Sequence, residues 1–237
     1  MIQMASSTPR PAVNGDRKHQ LGEALRRRIL TMKIAPGAVV DEVDLAEEFG
    51  MSRPPVREII RQMAGEGYIE LEANRPARAT SMGYLALRDF YLVAPMIYVG
   101  TTKLAADAAD ADDVARLRRI QADFRSAIEC NDVNARIFAN NEFHLEIGRI
   151  ARNAYLLPSL RRLLIDHTRI GRTFYRNDIT TPEMLRVTAD QHDQIIDAIE
   201  GHDPEQAGNL VQEHLDLSRR NMAAYAVPEG LDGPLGS

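Results

Sequence analysis

Six histidines occur in the 237-residue chain: His19, His144, His167, His192, His202 and His214. Three of them fall where helical periodicity asks for apolar side chains. Between residues 133 and 151 the inward stripe runs Ile137, Asn140, His144, Ile147, Ala151. Between 188 and 200 it runs Ala189, His192, Ile195, Ile196, Ile199, and between 204 and 225 it runs Ala207, Leu210, Val211, His214, Leu217. Three helices therefore each aim an imidazole at one interior. A buried imidazole requires a hydrogen-bond partner or a metal. Asn140 lies one turn before His144 on the same face, so an amide oxygen joins three ring nitrogens. That donor set suits a first-row divalent ion with positions left open for water or a ligand. Three separately satisfied core histidines would give the same pattern, and spacing does not separate the two readings. His167 also sits on an apolar stripe (Leu160, Leu163, Leu164, His167, Phe174), whereas His19 and His202 read as exposed.

A second set of residues is cationic. Arg53, Arg57 and Arg61 repeat at i, i+4, i+8, opposite an apolar stripe of Val56, Ile59, Ile60 and Met63, which places them on one edge of a helix. Ser52 stands at the N-cap position, with a hydroxyl able to accept from a first-turn amide, and Pro54 and Pro55 fall in the first turn. A helix N-terminus bearing Ser and Arg suits phosphates and guanine edges. Asn74, Arg75 and Arg78 follow in a turn that can reach an adjacent DNA backbone or minor groove.

The elements that must position these groups are legible from periodicity and breakers. Residues 1–18 mix Ser, Thr, Pro and Gly without apolar period and are expected to form a disordered arm. Leu21, Leu25 and Ile29 mark a helix broken at Ala35-Pro36-Gly37, and Leu45, Ala46 and Phe49 mark a short one stopped by Gly50. After a three-residue turn comes the arginine-bearing helix, ended by Gly65 and Gly67. Ile69 and Leu71 then alternate with Glu70 and Glu72 ahead of the turn Asn74-Arg75-Pro76, which predicts a small hairpin. Helix, turn, helix, hairpin is the order of a winged helix-turn-helix. Beyond Gly83 about six helices are expected, with breaks near 109–112, 131–132, 153–158, 177–182 and 201–204. The fold class is thus mainly α, a winged helix-turn-helix over 19–82 followed by an all-α bundle over 83–227, with a loose tail at 228–237.

Composition sets the outer bounds. Hydrophobic residues make up 44% and charged residues 27%, which fits a globular chain with a real core. With no long apolar run and no signal pattern, neither membrane insertion nor secretion is expected. Cys130 is the single cysteine, which excludes an intrachain disulfide or a multi-cysteine metal site and points to a cytoplasmic setting. The net charge of −5 argues by itself against a nucleic-acid partner. The charge is uneven, however. Residues 17–80 carry 11 Lys/Arg against 10 Asp/Glu, and residues 81–237 carry 17 against 23, so a local basic face on an acidic protein is feasible.

Residues 21–80 resemble the GntR family of bacterial transcription regulators. Pro36-Gly37, the run Leu45-Ala46-Glu47-Glu48-Phe49-Gly50-Met51-Ser52-Arg53-Pro54-Pro55-Val56-Arg57-Glu58, Met63 to Ile69 and the wing Asn74-Arg75-Pro76-Ala77-Arg78 carry the resemblance. It implies that Ser52, Arg53, Pro55 and Arg57 contact operator DNA, with Asn74 and Arg75 at the wing. Val43 stands where some members have arginine, implying one contact fewer. Residues 84–225 resemble the FCD ligand-binding domain of the FadR subfamily, through Asn140, Phe143-His144, His192 and His214. That resemblance implies a metal, zinc or nickel, held by Asn140, His144, His192 and His214 and coordinating a small organic acid.

Two departures from the pattern stand out. Asn140 replaces a frequent Asp, which removes a negative charge and should weaken metal affinity. Ala94 lies near the place of a first-helix arginine expected to clasp the effector carboxylate, with Pro95 beside it to kink the helix. Tyr98, Arg149, His167, Arg169 and Arg172 are the candidates to line the effector pocket instead.

The expected function is a homodimeric repressor that binds a short palindromic operator and answers to a small organic acid. Two other readings use the same residues. One is a metal-dependent hydrolase or lyase built on the histidines, although no nucleophile elbow or phosphate loop accompanies them. The other is an architectural DNA-binding dimer without an effector.

Overall fold

A computed structural model describes residues 14–174 and 181–226. The chain divides into two compact units, Met1–Ser81 and Met82–Ser237. Among the described residues the first unit contains α1 (Asn14–Leu30), α2 (Glu42–Glu48), α3 (Arg53–Glu66), β1 (Ile69–Glu70) and β2 (Arg78–Ala79). Leu21, Leu25 and Ile29 of α1, Leu45 of α2 and Val56, Ile60 and Met63 of α3 form its core, closed from below by Ile69 and Ala79. Helix α1 begins at Asn14, inside the stretch expected as a disordered arm. Asp16 in its first turn complements the helix dipole, and Arg17 and Lys18 bind the Gly50 carbonyl (2.8 Å) and Glu58 (2.6 Å), which holds this end down. The rest of that arm and the tail 228–237 lie outside the described residues.

Local chemistry explains the turns of this unit. The Asp41 carboxylate accepts from the amide of Val43 at 2.6 Å and starts α2. Gly67 ends α3 with φ +93°, a left-handed value that suits glycine, and Tyr68 N–H then bonds to the Met63 carbonyl. The wing pairs Ile69 with Ala79 and Glu70 with Arg78, while Val39 bridges Arg78 from the other side. Asn74 turns the wing tip at φ +60°, which its short polar side chain tolerates. The hairpin is shorter than the alternation predicts. Pairing stops at Glu70, so Leu71 is 49% exposed instead of joining Ile69 in the core.

The second unit is an all-helical bundle: α4 (Tyr84–Ala108), α5 (Ala111–Glu129), α6 (Val133–Ile150), α7 (Leu156–Phe174), α8 (Pro182–Glu200) and α9 (Pro204–Ala226). Its breaks carry side-chain caps that sequence inspection can name. Asp110 and Asp113 form a reciprocal capping box at α5, Asp132 caps α6 through Ala135 N–H, and Thr181 caps α8 through Met184 N–H. Asn153 and Asp203 accept from Leu156 and Gln206 at the starts of α7 and α9. Residues 175–180, where one expected break falls, lie outside the described residues. Helix α4 runs through Pro95 without interruption and packs on α6, α7 and α9, while α5 packs on α6 and α8. Among the described residues no helix is long and apolar enough to cross a membrane.

Candidate DNA interface and candidate metal centre

Ser52, Arg53, Pro55 and Arg57 sit together at the start of α3, with Asn74 and Arg75 on the wing. The groove between α2, α3 and the wing holds about 480 Å³ and is lined by Val43, Arg53, Arg57, Arg61, Leu71 and Arg75 among others. Ser52 departs from expectation. It has the backbone of an N-cap, yet its hydroxyl makes no cap hydrogen bond. A cap accepts from the second or third helical residue, and here those are Pro54 and Pro55, which have no N–H. The hydroxyl is left at the exposed helix start. Ser52→Ala is therefore expected to change thermal stability by no more than about 0.5 kcal/mol, where a functioning cap would cost about 1 kcal/mol. A larger loss on melting would show that the hydroxyl caps after all.

The arginine edge is not bare charge. Arg53 and Arg57 both donate to the Glu42 carboxylate at the first position of α2, Arg57 through Nε at 2.9 Å and Nη2 at 2.8 Å, and Arg53 through Nε at 3.1 Å and through Nη2. These bonds, Arg57 first and then Arg53, pull the Glu42 carboxyl down to about 2. Arg75 pairs with Glu72, and Arg78 donates to the Gly37 carbonyl at 2.8 Å, tying the wing to the loop before α2. Arg61 is exposed on the same edge.

In the second unit the inward stripes converge. One ring nitrogen from each of His144, His192 and His214 lies within 4.8 Å of the other two, in the core. Asn140 Oδ1, both nitrogens of His144 and Nε2 of His192 are buried there with no protein hydrogen-bond partner. Leaving such atoms unsatisfied costs about 1–3 kcal/mol each. Because a neutral imidazole carries one N–H and one lone pair, the Asn140 oxygen, one nitrogen of His144 and Nε2 of His192 are left with lone pairs to give to something else. Burial first, and neighbouring imidazoles second, drive His144 and His192 well below the ordinary histidine range. Burial brings His214 to about 3 and His167 to about 4. All are neutral at pH 7, the form a metal requires.

The surroundings orient the rings. Gln121 donates its amide to the Ala189 carbonyl at 2.7 Å, so its Oε1, 3.1 Å from His192 Nδ1, must accept there and leaves the Nε2 lone pair facing the cluster. Gln191 Oε1 stands in the same relation to His214 Nδ1, at 3.1 Å. Phe143 stacks on His192 at 4.1 Å between ring centres. Supporting hydrogen bonds of this kind fix ligand orientation in metal sites. The glutamines carry no metal-ligand spacing and were not among the residues the sequence singles out.

The candidate effector residues separate into two groups. Tyr98 is buried, with its hydroxyl 2.6 Å from His167 Nδ1, and both rings lie 5.0–5.1 Å from that of His144. Asn140, His167 and His214 line one small crevice with Gly171 and Thr188. Arg149 does not join them. It is exposed and bound to Glu142 and Glu146 of its own helix, because its position falls off the inward stripe. Arg172 donates to Asn134 at 2.9 Å, and Arg169 is fully buried beside Asp166. Sequence reasoning missed Arg136, also buried, one turn before Asn140 on the same face of α6. The available signal was its i−4 spacing from Asn140. Ala94 is buried, so the helix α4 position expected for an arginine is filled by a methyl group against the core.

The comparisons with known proteins match both units. Residues 17–78 match the bacterial regulatory proteins of the gntR family, and residues 93–217 match the FCD domain. The chain belongs to the GntR family, with an FCD domain. It is a DNA-binding transcription regulator. Among curated relatives, the HTH-type transcriptional repressor RspR of Escherichia coli K12 is 24% identical over 83% of this chain and 84% of its own length. A probable D-xylose utilization operon transcriptional repressor of Paenarthrobacter nicotinovorans is 29% identical over 80% and 83%. The solved structure of E. coli McbR/YncC, 20% identical, superposes with a TM-score of 0.73 over 88% of this chain and 96% of its own, which supports the fold. As a GntR family member of the FCD type, the chain matches the FadR-like subfamily on which the resemblance rested.

Proposed function

We propose that this GntR family regulator is a homodimeric repressor whose operator affinity answers to a small anionic effector, seated at a divalent ion in the FCD bundle. The observation that carries the reading is the set of unpartnered buried acceptors, Asn140 Oδ1, one ring nitrogen of His144 and Nε2 of His192, with His214 beside them. Asn140, His144, His192 and His214 would hold the ion, and zinc or nickel suits such nitrogen-rich ligands. The ion, when bound, supplies Lewis-acid positions for an oxygen ligand. Because all four protein ligands are neutral, the ion's charge is not cancelled by the protein, and an organic acid is the complementary partner. Tyr98 and His167 would contact that ligand from the α4 and α7 side, with Arg169 and Arg172 as candidate cations on α7.

One observation favours a regulator over a metal-dependent enzyme. Glu142 and Glu146, the carboxylates nearest His144 in sequence, are tied to Arg149 and Arg116 instead of serving as a base. For the dimer, α4 leaves Leu92 and Met96 69% and 72% exposed one turn apart, an apolar face suited to a second copy. The repressor sense follows the names of the relatives above, and the cytoplasmic setting follows from the DNA target.

The test starts by selecting a binding site from a randomised duplex pool and measuring its affinity by fluorescence anisotropy. Arg57→Ala is expected to weaken that site by about 1–3 kcal/mol, or roughly 5- to 150-fold. Zinc or nickel together with a panel of small mono- and dicarboxylic acids should release the DNA. An operator affinity that no metal and acid combination moves would leave the architectural reading standing.

A further inference from the structure

The contact between α2 and α3 does more than join two helices. One carboxylate, Glu42, receives both guanidinium groups assigned to DNA reading, Arg53 and Arg57, through their Nε and Nη2 atoms. Glu42 is itself placed firmly, at the first position of α2 behind the Asp41 cap, with its side chain only 23% exposed. The arginines are more open, at 56% and 47%. Two consequences follow from this geometry. The trio carries a net charge of one instead of two toward approaching phosphates. In addition, each arginine is engaged along its Nε–Nη2 side, which leaves Nη1 and the second N–H of Nη2 for a bidentate contact with a base edge.

We propose that Glu42 is a positioning residue that sets sequence discrimination, by holding Arg53 and Arg57 in a base-reading orientation while withholding charge from the DNA backbone. Phosphate contacts give affinity without sequence information, whereas base-edge contacts give discrimination, so a device that damps the first and pre-orients the second raises the ratio between specific and non-specific binding. The wing arginines are held differently: Arg75 is paired with Glu72 within the wing, and Arg78 is bound to a backbone carbonyl. The inference rests on the assignment of Arg53 and Arg57 to the DNA face.

The experiment uses the full chain and two duplexes of equal length, a site selected from a randomised pool and the unselected pool itself, each titrated across a salt series. Glu42→Gln should tighten binding to the unselected pool roughly 3- to 10-fold and steepen its salt dependence by about 0.9, the signature of one further phosphate neutralised. The ratio between selected and unselected duplexes should fall at least about fivefold, the size of one weakened base contact. Glu42→Asp keeps the charge but is too short to span both arginines. It should lower the ratio while leaving the salt slope unchanged, and it serves equally if the Gln variant melts early. Parallel loss of both affinities, or an unchanged ratio in both variants, overturns the proposal. Wild-type protein that does not distinguish the duplexes would instead refute the reading-edge assignment.

Discussion

Metal-stripped protein is expected to gain about 4 kcal/mol of stability when zinc or nickel is added to a thousandfold excess over its dissociation constant, by mass action on a site present only in the folded state. The gain should appear as a raised melting temperature of the helical unit, with no change in the winged helix-turn-helix. His144→Ala and His192→Ala should each abolish it. The two variants differ in what they do without metal. His144 has both nitrogens buried and unpartnered, so its loss removes unsatisfied atoms as well as volume. His192 loses its bond to Gln121 and its stack on Phe143, and should be the more damaging of the two in the stripped protein. A melting curve indifferent to both ions would make these core histidines and nothing more.

The second large effect concerns Phe143. Its ring is fully buried, stacks on His192 and also meets His144 edge-on at 5.3 Å. Phe143→Ala is expected to cost about 3–5 kcal/mol in denaturant unfolding, the range for deleting a buried aromatic side chain. The same cavity frees the His192 ring, so metal affinity should fall beyond what stability alone explains. Phe143→Leu, which keeps most of the volume, should restore stability more than affinity. If the two losses track each other across both variants, Phe143 serves the core and not the ring orientation.

Much of the architecture is legible in the sequence. The bundle's breaks are legible because proline and glycine stand at several of them, and the structure adds the side-chain caps of Asp110, Asp132, Asn153, Thr181 and Asp203. The histidine stripes were visible because 3.6-residue periodicity carries over a whole helix. What stayed hidden depends on contacts between elements. Glu42 meets arginines 11 and 15 residues away, and Gln121 meets His192 across 71 residues. Neither pair has a spacing that announces it. Arg149 was drawn toward the pocket by its charge, although its phase on α6 turns it to solvent and to Glu142. Leu71 followed the alternation of a strand that ends one residue too soon to use it. The Ser52 cap failed for a reason the sequence did contain, since Pro54 and Pro55 offer no amide to accept.

The two prolines have a further consequence, on the unfolded side of the equilibrium. Each fixes its own φ near −65°, a helical value, so positions 54 and 55 have few conformations to lose, a gain set against the bias each proline puts on the residue before it, away from the helical region. The opening turn of α3 is thus ordered at little entropic cost, without the hydrogen bonds other helix starts depend on. Contact with DNA need not freeze this segment a second time, and the amides it lacks could never have bound a phosphate. Recognition at this end falls to side chains on a stiff backbone.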